Sequence, residues 1–412
     1  MTAYTTHALP DIVLTDHLRG ILDQLDESVA DVESYISLPP EVYTSEAWFE
    51  FEKRAVWDRE WICVGHVGHI LETGDYTSIT INDDPLLVLR GLEGEVRVMS
   101  AVCQHRGHLL GEASGNTRVF TCPFHAWSYD LEGKLVSAPE MKAHASLDEL
   151  QKTLCLPCLR VEIWQGFIFV NMDGNAPPLG ARLKRLSKEI ANHHLGEMGA
   201  TPTVDWPDNP WNWKFMHENA IEPHHTGYLH KGPHDFAPPR LASFFEWNEQ
   251  DDGAIFHPTG FLTRDANFTA GFRCLFPVIE TLTDAERQRV MFACILPNLF
   301  FGCVPDGCFY YWILPQGVGA LTLRVGLLYP HSTLRIDNFE VTLKSVVDGI
   351  SIYNDQDTLA NTSVHKGLKS RFANRGRYGP KEATLPQMNR WLVKRYREYA
   401  EDLTAIRNTD DR

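Results

Sequence analysis

Two short runs constrain this chain more than anything else in it: CQHRGH, starting at Cys103, and CPFH, starting at Cys122. Each offers one thiol and one imidazole. Cys103 goes with His105, and after a gap of sixteen residues Cys122 goes with His125. The pattern is C-x-H, a gap, then C-x-x-H, and such spacing marks metal ligands rather than core residues. A tetrahedral zinc accepts two sulfurs and two nitrogens. A [2Fe–2S] cluster with both cysteines on one iron and both histidines on the other accepts the same four. Either way, the fold must carry two arms to one point.

The surroundings separate these options. From about residue 60 to 172 the chain runs through short β-rich stretches, among them DYTSITI, PLLVLRG, VRVMSAV, WSYDLEG and FIFVNM, with turn residues between them. This predicts a small antiparallel β domain with the two arms on hairpin tips. A zinc finger would be smaller and would lean on its metal to fold. Arg106 and Gly107 after the first arm, and Pro123 and Ala126 to Tyr129 around the second, match the Rieske pattern. On these residues the module resembles a Rieske [2Fe–2S] domain. Histidine ligation raises such a cluster's potential, which suits it to passing electrons onward.

A second concentration of ligands lies at 209–230, NPWNWKFMHENAIEPHHTGYLH. Glu222 stands three residues before His225, and His230 five residues after it. On a continuous helix, residues five apart point about 140° away from each other. The two histidines can therefore share a metal only if the helix distorts or ends, which Gly227 would permit. This stretch resembles the iron-binding segment of Rieske non-haem iron oxygenases. Two histidines and a carboxylate on one face hold Fe(II) with positions open for O2 and substrate.

The chain is similar to the α subunits of those oxygenases along nearly its whole length. The resemblance implies an α+β fold: an all-β Rieske domain joined to a helix-grip catalytic domain with an antiparallel sheet. It implies boundaries at 1–44 for an N-terminal helical segment packing on the catalytic domain, 45–175 for the Rieske domain and 176–412 for the catalytic domain. It assigns Cys103, His105, Cys122 and His125 to the cluster, and His225, His230 and Asp357 to a mononuclear Fe(II). Asp357 comes from the run NDQDTLANTSVHKGL, which matches the family's late acidic motif; Asp355 is the weaker choice. Glu222 takes the position of the acid that links the two metal sites. The resemblance also implies a homotrimer in which one subunit's cluster feeds its neighbour's iron. Glu222, the NDQD motif and the closing GRYGPKEATLPQMNRWLVKRY resemble the subgroup that demethylates betaines such as proline betaine (stachydrine). Ring hydroxylation of an arene is the alternative. The run FFGCVPDGCFYYWILP (300–315) supplies aromatic faces that could hold an ammonium group. No G-x-G-x-x-G segment is present, so electrons are expected from a separate flavin or iron–sulfur reductase.

The rest of the sequence sets limits. A formal charge of −16 over 412 residues repels phosphate backbones and anionic lipids, so neither nucleic acid nor membrane is an expected partner. No apolar run approaches the about eighteen residues that span a bilayer, and Met1 to Val13 does not read as a signal peptide, which suggests a cytoplasmic protein. Nine cysteines should then stay reduced. The CLPC pair, Cys155 and Cys158, has no second arm and is expected to pack in a core. Helices are expected over 14–31, over 45–61 with Ser45 as N-cap, and over 337–353 with Asp337 as N-cap. SLPPEVY (37–43) reads as a loop.

Overall fold

A computed structural model describes residues 12–30 and 36–410, with side chains to residue 405. The described chain forms two compact units, residues 61–176 and residues 12–60 together with 177–410. Among these residues no helix is long and apolar enough to cross a membrane.

The first unit is all β apart from one short helix, Leu147–Gln151, and short turns. Its strands are β1 (Trp61–His66), β2 (Asp75–Ile81), β3 (Asp84–Arg90), β4 (Val96–Ser100), β5 (Ser114–Asn116), β6 (Val119–Thr121), β7 (Ser128–Asp130), β8 (Leu135–Ser137), β9 (Arg160–Trp164) and β10 (Phe167–Asn171). They form three antiparallel sheets, ordered β4-β3-β2-β5, β1-β10-β9 and β6-β7-β8. Cys103 and Cys122 belong to the same buried cluster as Leu87, Leu89, Trp127 and Tyr129. Large side chains of this kind contribute about 1.5–3 kcal/mol each when fully buried.

The sequence reading started this domain at residue 45; the structure starts the unit at Trp61. Buried charge explains the difference. Helix α1 (Asp16–Leu25) and helix α2 (Glu46–Glu52) both fold with the second unit. Glu52 accepts from Lys214 Nζ at 2.8 Å, from Trp213 Nε1 at 2.7 Å and from Tyr396. Glu60 accepts from Arg182 at 2.6 Å and Arg395 at 2.7 Å. Taking one partner from a buried pair leaves an uncompensated charge, about 3–5 kcal/mol. Residues 46–60 therefore stay with their partners. Ser45 does cap α2, accepting from Trp48 N.

The second unit holds β11 (Gly199–Ala200), β12 (Val204–Asn209), β13 (Ala254–Gly260), β14 (Arg289–Ile295), β15 (Leu299–Val304), β16 (Gly307–Gly317) and β17 (Ala320–Tyr329). They form one antiparallel sheet, ordered β11-β17-β16-β15-β14-β13, with β12 also on β17. Strand β15 is buried along its whole length, which is why it reads as an unbroken apolar run rather than an alternation. Helices α3 (Lys214–Ile221), α4 (Phe339–Leu368) and α5 (Leu385–Asp410) belong to this unit, beside the shorter helices Leu179–Arg182 and Lys184–Glu189, and α3 lies against β13, β14 and α4. This is the α+β architecture expected of the chain.

Local expectations needed several adjustments: α1 gives way to a 3₁₀ turn after Leu25, with residue 31 outside the described residues, and α2 gives way at Lys53 to a π-helical turn that ends at Trp57, before Trp61 opens β1. A turn of helix, Glu41–Thr44, follows Pro40 within the segment read as a loop. Helix α4 starts after Asn338, not Asp337, and Asn338 sits at φ 61° without a side-chain cap. That helix also continues well beyond residue 353, to Leu368.

Candidate metal centres and substrate cavity

The two arms of the first unit are versions of one loop. In each, the amide four residues after the cysteine returns to the cysteine carbonyl: Gly107 N to Cys103 O at 3.0 Å, and Ala126 N to Cys122 O at 2.9 Å. The cysteine amide bonds one residue further on, to His108 O and to Trp127 O. Both loops close through a left-handed residue, Gly107 at φ 73° and Ala126 at φ 57°. These turns curl the backbone around each thiol. The His105 and His125 rings meet edge to face at 4.7 Å, and Trp127 stacks on His105.

The Nδ1 atoms of His105 and His125 are both buried without a hydrogen-bond partner. Buried imidazole nitrogens normally have partners, so two orphans side by side call for an electrophile. The cysteines are free thiols, and Tyr129 Oη lies 3.5 Å from Cys103 Sγ. A single zinc would draw all four donor atoms into one tetrahedron. Among the described residues, the group whose donor atoms do converge within 4.8 Å is a different one. The four donors fit a cluster spread over two irons.

That convergent group is His225, His230 and Asp357. Helix α3 stops at Ile221, and Glu222 takes extended dihedrals, φ −117° and ψ 129°. The cause is Pro223, whose ring disfavours helical dihedrals in the residue before it. Gly227 is not needed for the break; its φ is not positive. His225 then enters a 3₁₀ turn, His225–Gly227, which brings it round to His230. Their rings lie 5.0 Å apart. Asp357 Oδ1 is 3.0 Å from His230 Nε2 and 3.8 Å from His225 Nε2.

Both Nδ1 atoms are already engaged. His225 Nδ1 donates to Glu222 Oε1 at 2.6 Å, and His230 Nδ1 to Gln356 Oε1 at 2.6 Å. Carbonyl and carboxylate oxygens only accept, so each Nδ1 carries the proton and each Nε2 keeps its lone pair. The Nε2 atoms and Asp357 Oδ1, itself without a hydrogen-bond partner, face one point. Two imidazoles and a carboxylate suit Fe(II). Burial disfavours a charge on His225, but its bonds to Glu222 and the charge of Asp357 outweigh this and raise its pKa. Glu222 also accepts from the backbone amides of His224 and His225, which stiffens the turn.

Beside this group lies a cavity of about 80 Å³. Its aromatic lining is Phe268, Phe292, Phe300, Phe309, Tyr311 and Tyr353. Of the six aromatic residues quoted from the 300–315 run, Phe300, Phe309 and Tyr311 reach the cavity, while Phe301, Tyr310 and Trp312 alternate to the opposite face. Tyr311 donates to Asn354 Oδ1 at 3.0 Å.

His224 is exposed, beside Glu382 at 3.5 Å. Cys155 is buried as expected, but Cys158 is exposed. No part in the site was expected of Gln356, and His234, read as a structural or surface histidine, is buried in the cavity lining. His234 stacks near His230 at 6.1 Å, and burial lowers its pKa to about 4. Its position four residues after His230 was the available signal.

Fold and donor sets together define a Rieske-type iron oxygenase subunit. The Rieske [2Fe–2S] domain model matches residues 60–158, and the model for the ring hydroxylating alpha subunit (catalytic domain) matches residues 193–398. The chain belongs to this family of Rieske non-haem iron oxygenases, and the family's cofactors are a Rieske [2Fe–2S] cluster and a mononuclear iron. It is 34% identical over 346 residues to a carnitine monooxygenase oxygenase subunit of Acinetobacter pittii, covering 81% of this chain and 86% of that one. It is 37% identical over 198 residues to the biphenyl 2,3-dioxygenase subunit alpha of Rhodococcus jostii, covering 46% and 42%. A crystal structure of a quaternary ammonium Rieske monooxygenase superposes with a TM-score of 0.76 at 22% identity, over 90% of this chain and 98% of that one. Naphthalene 1,2-dioxygenase from Rhodococcus sp. gives 0.79 at 20%, over 93% and 99%. At those identities the structures speak for the fold alone.

Proposed function

We propose that this oxygenase removes a methyl group from a small quaternary ammonium compound, such as proline betaine (stachydrine), and releases formaldehyde. The observation that carries the reading is the cavity wall: six aromatic rings and the acids Glu222 and Asp357, with no lysine or arginine among the lining residues. Ring faces attract a desolvated cation by up to about 2 kcal/mol each. The resemblance to a carnitine monooxygenase subunit supports the same substrate class.

In this reading His225, His230 and Asp357 hold the iron, and Cys103, His105, Cys122 and His125 hold the cluster. Bound there, the iron supplies activation of O2. The chain's own residues do the rest. Phe300, Phe309 and Tyr311 position the ammonium, and the apolar wall excludes water. Glu222 orients His225 and, in a homotrimer, links it to a neighbouring subunit's cluster. A flavin or iron–sulfur reductase delivers the electrons. One oxygen atom enters a methyl C–H bond and the other leaves as water, taking two electrons and two protons. The N-hydroxymethyl product then breaks its C–N bond, giving the tertiary amine, formaldehyde and a proton. Nine free cysteines are compatible with a cytoplasmic setting.

The same rings would also accept an arene edge to face, and the match to a biphenyl dioxygenase subunit favours that second reading. O2 uptake and formaldehyde should be scored together with a surrogate reductase on proline betaine, glycine betaine, carnitine and biphenyl. Formaldehyde in step with O2 on a betaine is expected. A diol from biphenyl, with no formaldehyde from any amine, would replace the first reading with the second.

A further inference from the structure

The row of side chains flooring the cavity contains one gap. Phe292, Gly302 and Phe309 are register partners across β14, β15 and β16. Gly302 is not required by its backbone, for its φ is not positive. What occupies its missing side chain is the Phe309 ring. A Cβ at residue 302 would lie 2.2 Å from Phe309 Cζ and 2.7 and 2.9 Å from its two Cε atoms. Ordinary carbon–carbon contact begins at about 3.5 Å. The ring therefore lies down across β15, in the space that any other residue would fill.

The surroundings leave a displaced ring one direction to go. Phe309 is 7% exposed, with the sheet beneath it. Phe268 meets it edge to face at 5.6 Å, and Phe300 and Tyr311 stand at 6.0 and 6.2 Å. All of these rings line the cavity. A methyl group at residue 302 would lift the Phe309 ring away from the sheet and into that space.

We propose that Gly302 is a specificity-determining residue: by letting the Phe309 ring lie flat, it sets the largest substrate the cavity admits. The inference rests on the cavity being the substrate site, and it adds the residue that fixes its size. The test measures binding without turnover, by calorimetry on the holoprotein without reductant or O2. The probes are glycine betaine and the bulkier proline betaine. In Gly302→Ala the affinity for proline betaine should fall at least about tenfold relative to that for glycine betaine, the scale on which one methylene is discriminated in an apolar pocket. Adding Phe309→Leu should restore the wild-type ratio. A Gly302→Ala protein with wild-type cluster absorbance and an unchanged ratio overturns the proposal. Should Gly302→Ala fail to fold, Phe309→Leu alone carries the test: it should favour proline betaine, and an unchanged ratio overturns the proposal. Should the wild type bind neither betaine, the functional reading fails, and benzene against naphthalene then reads the same size limit.

Discussion

Gln356→Leu is the most discriminating substitution, because Gln356 is neither one of the three donor residues nor part of the cavity lining. His230 is 2% exposed, so no water can replace the carbonyl that accepts from its Nδ1 at 2.6 Å. Leaving a buried donor unsatisfied costs about 1–3 kcal/mol. That penalty falls on the tautomer that presents Nε2 to the metal. At about 1.4 kcal/mol per decade, iron should bind about 5- to 140-fold more weakly, overlapping the 10- to 100-fold typical of partners behind a metal ligand. The assay is a competition titration of Fe(II) against a chelator in the reconstituted protein, with the cluster's visible absorbance as an internal control. Gln356→Glu keeps an acceptor and should hold iron at least as tightly as the wild type. Wild-type iron affinity in Gln356→Leu would refute the argument that Gln356 fixes the His230 tautomer.

Three further outcomes follow from the same geometry. Purified protein should contain about three irons per chain, two in the cluster and one between His225, His230 and Asp357; Asp357→Ala should lose one of them and all turnover with its cluster absorbance intact, and unchanged iron content counts against Asp357 as a ligand. Glu222→Gln keeps an acceptor beside His225 but removes the charge, so single-turnover transfer from the reduced cluster should slow at least about tenfold with iron content preserved; an unchanged rate removes Glu222 from the electron path. His193, His217 and His257 are held down to about 4 by burial, so between about pH 6.5 and 4 the unfolded chain binds protons that the fold refuses. Stability should be fully present above about pH 6.5 and fall through that window, and a melting temperature that stays flat on acidification would contradict it.

Much of this was legible in the residues. The cluster arms could be read because their geometry is local: a thiol and an imidazole two or three positions apart on one turn need no tertiary information. His225 and His230 could be read as a pair, but not the reason they meet, which is Pro223 ending α3 rather than the glycine that follows. Asp357 could be read only through resemblance. It lies 127 residues beyond His230 in the sequence, on a helix whose expected end fell before it, because its polar stretch NDQDT looks like a loop when its buried side is unknown. Gln356 carries no motif at all; its part depends on which way α4 faces. The aromatic run shows the same limit. Period-two alternation separates Phe309 and Tyr311 from Tyr310 and Trp312, but which set meets the cavity is decided by the helices covering that face.

The hydrogen bond from Tyr311 to Asn354 has a consequence for how this enzyme could change its diet over generations. Asn354 stands three residues before Asp357 on α4, one turn along the same helix face. Remodelling the pocket at Tyr311 therefore pulls on the helix that carries Asp357, the carboxylate proposed to hold iron, and would trade selectivity against catalytic competence. Phe309 only meets its neighbours' rings edge to face, with no polar tie to α4. Drift toward bulkier or slimmer molecules should accumulate around Phe309, while Tyr311 stays fixed by its hydrogen bond to α4.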